Sequence, residues 1–197
     1  MELIQLAINY GLQLLYVLLN DWGMALIMLA ILVRTILIPV QIFTLKQRNR
    51  MKGIQEELRL LEDDKSVEVV QRYRLKKDLL NRAGVKPGKS ALLALMQIPF
   101  FLAIYRVLST TSYLSGAAFL WLPNLASPDS LWILPLVVSL TTYLQMKDEP
   151  QASGPILKLM PVVSFAFMAT LPSAIVLYYA ISGITQSAAG ALMRRWL

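Results

Sequence analysis

Two residue types are missing altogether: the chain has no cysteine and no histidine. Without cysteine there are no disulfides, no thiolate metal sites and no acylated lipoprotein cysteine. Without histidine, the commonest metal ligand and the commonest general base are both gone. Neither a GxxxxGK[ST] phosphate loop nor a GxSxG nucleophile elbow is present. An intramembrane protease or metal-dependent hydrolase would therefore lack an obvious catalytic group, and we expect no enzyme, no cofactor and no metal. Charge is scarce as well, at 16% of residues, whereas 56% are apolar and the mean hydropathy is +0.55. That is too apolar for an ordinary soluble domain of 197 residues.

What is there comes in long apolar blocks without barrel-type alternation. Because only helices or closed barrels satisfy backbone polar groups in lipid, the pattern predicts an all-α membrane protein. Five transmembrane helices are expected, at about 24–43, 91–113, 131–146, 156–171 and 174–193. Between them lie an external loop (114–130), a cytoplasmic loop (147–155) and a cytoplasmic tail (194–197). Residues 1–23 are read as an outer-side amphipathic helix and turn. Its Glu2, Gln5, Asn9 and Gln13 recur every three or four residues, one stripe of a helix lying in the interface. A further spanning helix over 3–19 is the competing reading, and no basic leader or cleavage site precedes it. Pro39, Pro99, Pro135 and Pro161 fall in or at the ends of spans, where they are read as kinks.

Lysine and arginine set the orientation. Residues 1–23, 114–130 and 171–173 contain none, whereas 46–89 contains thirteen against seven acids. Lys147, Lys158, Arg194 and Arg195 complete the basic side, which the positive-inside rule makes cytoplasmic. The amino end is then outside and the carboxyl end inside. The charged block, 44–90, reads as a two-helix coiled-coil hairpin. Met51, Ile54, Leu58 and Leu61 form an a/d seam, with Val70, Tyr73 and Leu80 opposite and Ser66 as N-cap of the return arm. Its cations include Arg48, Arg50, Lys52, Arg72, Arg74, Lys76 and Lys77, suited to anionic headgroups or RNA.

Arg34 is the anomaly. It lies mid-span in "ILVRTILIPV", where a guanidinium costs about 2.5–3.5 kcal/mol on insertion scales. No expected span contains Asp or Glu to pair with it. Snorkelling to Phe43 would cover nine residues, about 13 Å at 1.5 Å each. A hydrated cavity opening to the cytoplasm is the remaining explanation, with Gln97, Ser139, Thr142 and Gln186 among its polar companions. Arg106, near an outer end, reads instead as a snorkelling anchor.

Several stretches then resemble the YidC/Oxa1/Alb3 membrane protein insertases. They are Arg34, the basic hairpin, "VKPGKSALLALMQIPFFLAIYRVL", "WLPNLASPDSLWILP" and "LMPVVSFAFMATLPSAIVLYYAISGITQ". The resemblance runs from about residue 22 to 190 in the family's order. It implies a protein of the bacterial plasma (inner) membrane, with a five-helix core and a hydrophilic groove open to cytoplasm and lipid. It further implies that Arg34 attracts the polar or acidic tail of a substrate protein. Substrate helices would slide along Ile98, Pro99, Phe100, Tyr178 and Tyr179, and the hairpin would recruit them. Nascent membrane proteins, the bilayer, a Sec translocon and the ribosome are the implied partners. The sequence departs from the family pattern at Lys89–Leu93 and at Gly183, where an asparagine is common. It also lacks an extra first span with a periplasmic domain and a long basic tail, so a core-only form is expected. The alternative is a small-solute transporter or channel subunit with a charged midplane cavity, although no internal repeat is visible.

Overall fold

The computed structural model describes residues 2–64, 66–147 and 159–193. Within helix 87–110 the side chains of Ser90, Ala91, Ala94, Met96 and Gln97 also lie outside the described set. The described secondary structure is helical, apart from one isolated bridge between Phe119 and Leu122. The elements are α1 (Glu2–Leu19), α2 (Trp22–Ile36), α3 (Ile38–Gly53), α4 (Gln55–Asp63), α5 (Val69–Arg82), α6 (Pro87–Thr110), α7 (Ile133–Lys147), α8 (Met160–Met168) and α9 (Ser173–Met193). Residues 148–155 of the expected loop 147–155, the tail 194–197, and residues 156–158 of the fourth expected span lie outside the described residues.

Asp21 starts α2: its carboxylate accepts the Met24 N–H at 2.8 Å, a capping bond that satisfies one orphan donor. Where one span was expected over 24–43, the helix breaks at Leu37 and turns by 57° into α3. Pro39 explains the break, since it has no N–H for the Thr35 carbonyl and its ring crowds that oxygen. The Leu37 N–H compensates by reaching the carbonyls of both Val33 and Arg34 at 3.1 Å. Beyond the bend α3 continues to Gly53 and carries the chain into the charged block.

There α4 and α5 pack together as a hairpin. Lys76 donates to Glu62 at 2.6 Å, and Arg59 lies 3.8 Å from Asp63. The expected cap of the return arm is corrected: Glu68 occupies the N-cap position, and no side chain caps it. Ser66 turns back on Asp64 instead, donating from its N–H at 2.9 Å and its hydroxyl at 2.6 Å. These bonds favour the ionised carboxylate and hold Asp64 below the usual carboxylate range. Arg72 ties the same turn by donating to the carbonyls of Asp64 and Val67. Val70 and Tyr73, expected on the seam, are exposed, whereas the expected Leu80 is half-buried together with Leu79, Arg72 and Lys76. The break at Ile54 between α3 and α4 interrupts the heptad phase on the first arm.

The core gathers around α9, which packs on α2, α7, α6 and α3. Ser173 to Tyr178 form an unbroken buried run at its start. On the length and composition of the described helices, α1 and α9 can each cross a membrane, and the bent α2–α3 pair makes a third candidate. The amphipathic stripe of α1 is turned partly inward: Gln5 and Asn9 are half-buried, whereas Leu3, Leu6, Tyr10, Val17 and Leu18 are exposed.

Candidate substrate groove

Arg34 lies in the last turn of α2, half-buried, directly before the bend. It interacts electrostatically with Tyr178 and Tyr179 of α9. Among the described residues no carboxylate pairs with it. Tyr179 stacks obliquely on Phe101 of α6 at 5.2 Å between ring centres, and Phe101 lies 6.4 Å from Phe167 of α8. The buried Tyr179 hydroxyl has no hydrogen-bond partner among the described residues. A cation thus stands within electrostatic reach of Tyr178 and Tyr179 with no carboxylate partner among the described residues, which leaves it capacity to attract an anionic or polar group.

Two turns further along, a cavity of about 280 Å³ opens between α3, α7 and α9. Gln41, Thr44 and Arg48 contribute from α3, Gln145 and Lys147 from α7, and Gln186 and Ser187 from α9. Gln41 donates to the Gln186 carbonyl at 2.7 Å, stitching the bent helix to the central one. Seven residues separate Arg34 from Gln41, about 11 Å of helix at 1.5 Å per residue. Arg34, before the break, is not among the cavity's lining residues, although both arms of the broken helix pack on α9.

The other expected groove residues take different places. Ser139 donates to the Pro161 carbonyl at 2.8 Å, and the Thr142 hydroxyl lies 3.4 Å from that of Ser164. Ser139 therefore ties α7 to α8, whereas the Thr142 hydroxyl donates to the Val138 carbonyl of its own helix at 2.8 Å, and neither is bonded to Arg34. Gln186 lines the cavity, and the Gln97 side chain lies outside the described residues. On the expected slide, Ile98 and Pro99 are exposed and Phe100 is half-buried, whereas Tyr178 is only 2% exposed and belongs to the core. Of the hairpin cations, Arg50 donates to the Gly84 carbonyl at 2.8 Å, and Arg72 and Lys76 hold the hairpin turn. Arg48 joins the cavity wall, leaving Lys52, Arg74 and Lys77 exposed on the surface. Sequence reasoning missed Gln41 and Thr44, which sit where an apolar span runs into a charged block and resemble ordinary boundary residues.

The opposite end of the bundle is covered by the 111–132 connection. Leu114, Phe119, Leu122 and Leu125 are buried there. Carbonyls of Ser127 and Leu125 accept the first free N–H groups of α9, from Ser173 at 2.8 Å and Ala174 at 2.9 Å. Asp129, 2% exposed, accepts from the Trp121 indole and from the Leu131 and Leu134 N–H groups. A side chain at Gly23 would place its Cβ 2.0 Å from the Phe119 ring, so only glycine admits this cover. Tyr16, Trp22 and Tyr113 stack in series, with ring centres 3.8 and 4.1 Å apart, and Tyr113 donates to Asn9 at 2.6 Å.

Apolar helices packed around α9, closed at one end by a buried connection and holding a polar cavity towards the other, define an all-helical protein with helices long and apolar enough to cross a membrane. The profile of the family described as "60Kd inner membrane protein" matches residues 14–197. The chain belongs to this YidC/Oxa1 family. It is 30% identical over 172 residues to the membrane protein insertase YidC of Thiobacillus denitrificans, covering 85% of this chain and 32% of that one. Against YidC 2 of Listeria innocua it is 29% identical over 178 residues, covering 84% and 61%. The fold matches that of an active YidC insertase crystal structure with its first transmembrane domain resolved, with a TM-score of 0.70 at 22% identity. That match covers 94% of this chain and 45% of the other. The chain thus spans about a third of the Thiobacillus relative's length.

Proposed function

We propose that the chain is the core of an insertase that moves integral membrane proteins from the cytoplasm into the bilayer and helps them fold. Its five spans are those expected from the sequence, the first being the bent α2–α3 pair, with the amino end outside and the carboxyl end in the cytoplasm. In this reading α1 lies across the outer face. The support is that outer-rim residues hold it at mid-length, through Asn9 and Tyr113, and near its end, through Tyr16 and Trp22.

One observation carries the proposal: the half-buried Arg34 guanidinium faces α9 with no carboxylate partner among the described residues. Carrying a hydrophilic tail across about 30 Å of hydrocarbon is the expensive step of insertion. A polar cavity that lets water part-way in shortens that path. Arg34 then favours acidic or polar tails by simple Coulomb attraction, which is strongest where water is sparse. Partition of the substrate's apolar helix along Ile98, Pro99 and Phe100 completes the move without a nucleotide. Lys52, Arg74 and Lys77 of the hairpin serve recruitment, with a Sec translocon and the ribosome as candidate partners by family likeness.

The absence of cysteine makes a clean test available. Ile98→Cys should form disulfide adducts with a one-span substrate carrying a cysteine in its apolar segment, and Leu120→Cys on the outer cover should not. Equal adduct yields at the two positions would contradict the slide.

A further inference from the structure

The cavity between α3, α7 and α9 has a composition of its own. Two cations from different helices, Arg48 and Lys147, stand in a wall that also holds Gln41, Gln145 and Gln186. The Ser187 hydroxyl in the same wall is buried with no hydrogen-bond partner among the described residues. At about 280 Å³ it has room for roughly nine water volumes of ~30 Å³, but not for a helix about 10 Å across. A small anionic group that accepts several hydrogen bonds would suit both this size and this lining. Position narrows the choice: the wall takes Lys147 from α7 and Gly190 and Ala191 from the last described turn of α9, which the topology proposed above puts at headgroup level. The abundant anion at that depth is the phosphodiester of a lipid headgroup. A guanidinium fork, an ammonium point charge and amide or hydroxyl donors are the groups that bind phosphate well.

We propose that this cavity binds the phosphodiester headgroup of one anionic phospholipid of the cytoplasmic leaflet. The assignment rests on the topology proposed above, which puts these helix ends at the cytoplasmic headgroup level. A bound headgroup would sit between α3, α7 and α9 at the inner mouth.

Native mass spectrometry of the full chain, released from nanodiscs of equal phosphatidylglycerol and phosphatidylcholine, tests it. Wild type should retain one phosphatidylglycerol per chain in preference to phosphatidylcholine. Arg48→Gln with Lys147→Gln should cut that retention at least about tenfold, since each interfacial cation contributes substantially to anionic-lipid binding. Lys46→Gln with Arg59→Gln removes as many charges from exposed sites and should leave retention intact. Ser187→Ala, a milder change, should lower it by a few fold while the fold persists. No preference in wild type, or undiminished retention in the cavity variant, overturns the proposal. Displacement of the lipid by inorganic phosphate, or capture of an acidic peptide in its place, also overturns it and reassigns the site. No substrate is needed, so failure of the insertion reading at Arg34 leaves this readout untouched. Sided labelling of Lys147→Cys separates the topology: no labelling from the cytoplasmic side sinks both readings, whereas labelling without lipid retention sinks only this one.

Discussion

At the scale of single residues, Arg34 and Gly183 show how one side chain, or its absence, shapes the interface with α9. Arg34 was legible in the sequence because an unpaired cation in an apolar run has few explanations. Its companions were less so. Ser139 and Thr142 looked like groove polar groups, yet the Ser139 hydroxyl donates to the Pro161 carbonyl of α8 and the Thr142 hydroxyl to the Val138 carbonyl of its own helix. Gly183 stood out only as a departure from the family pattern. The structure supplies its reason: a Cβ there would lie 2.5 Å from the Thr141 Oγ1 and 3.0 Å from its Cβ. The two helices meet backbone to side chain at that point. Gly183→Ala should destabilise the bundle by about 1–3 kcal/mol, the usual penalty of overpacking, read as a lower thermal unfolding midpoint. Thr141→Ala in the same chain should recover part of the loss. An unchanged midpoint would mean that α7 and α9 separate freely.

At the scale of elements, the broken α2–α3 helix joins the hairpin to the groove. Pro39 signalled a kink in the sequence, but its angle and the continuation of α3 to Gly53 were not readable. Both depend on what α3 packs against, namely α9 through Gln41 and Gln186. Pro39→Ala restores a donor for the Thr35 carbonyl, so the 57° bend should open. Spin labels at Met28→Cys and Lys46→Cys would then report a longer mean distance. An unchanged distance would assign the bend to the contact with α9 instead of the proline. The α1 helix carries a related lesson. Its polar stripe was evident from spacing, but spacing cannot say which side a stripe faces, and Asn9 turns inward to Tyr113. Likewise Asp129 reads as one loop acid among several until three donors converge on it.

At the scale of the whole molecule, the two ends of the bundle are built differently. The 111–132 cover is closed by buried leucines, a buried carboxylate and carbonyls that satisfy the start of α9. The opposite end opens into a polar cavity lined by two cations. The net charge of +7, concentrated in the hairpin block, points the same way. Such asymmetry suits a one-sided groove and does not suit a pore through which solutes pass. The account stands or falls on the charge at Arg34. The direct test is protease protection of a one-span substrate with an acidic translocated tail, offered to proteoliposomes containing wild type, Arg34→Ala or Arg34→Lys. The account predicts a protected tail with wild type, several-fold less protection with the alanine variant and partial recovery with lysine. Equal protection by wild type and Arg34→Ala would contradict it.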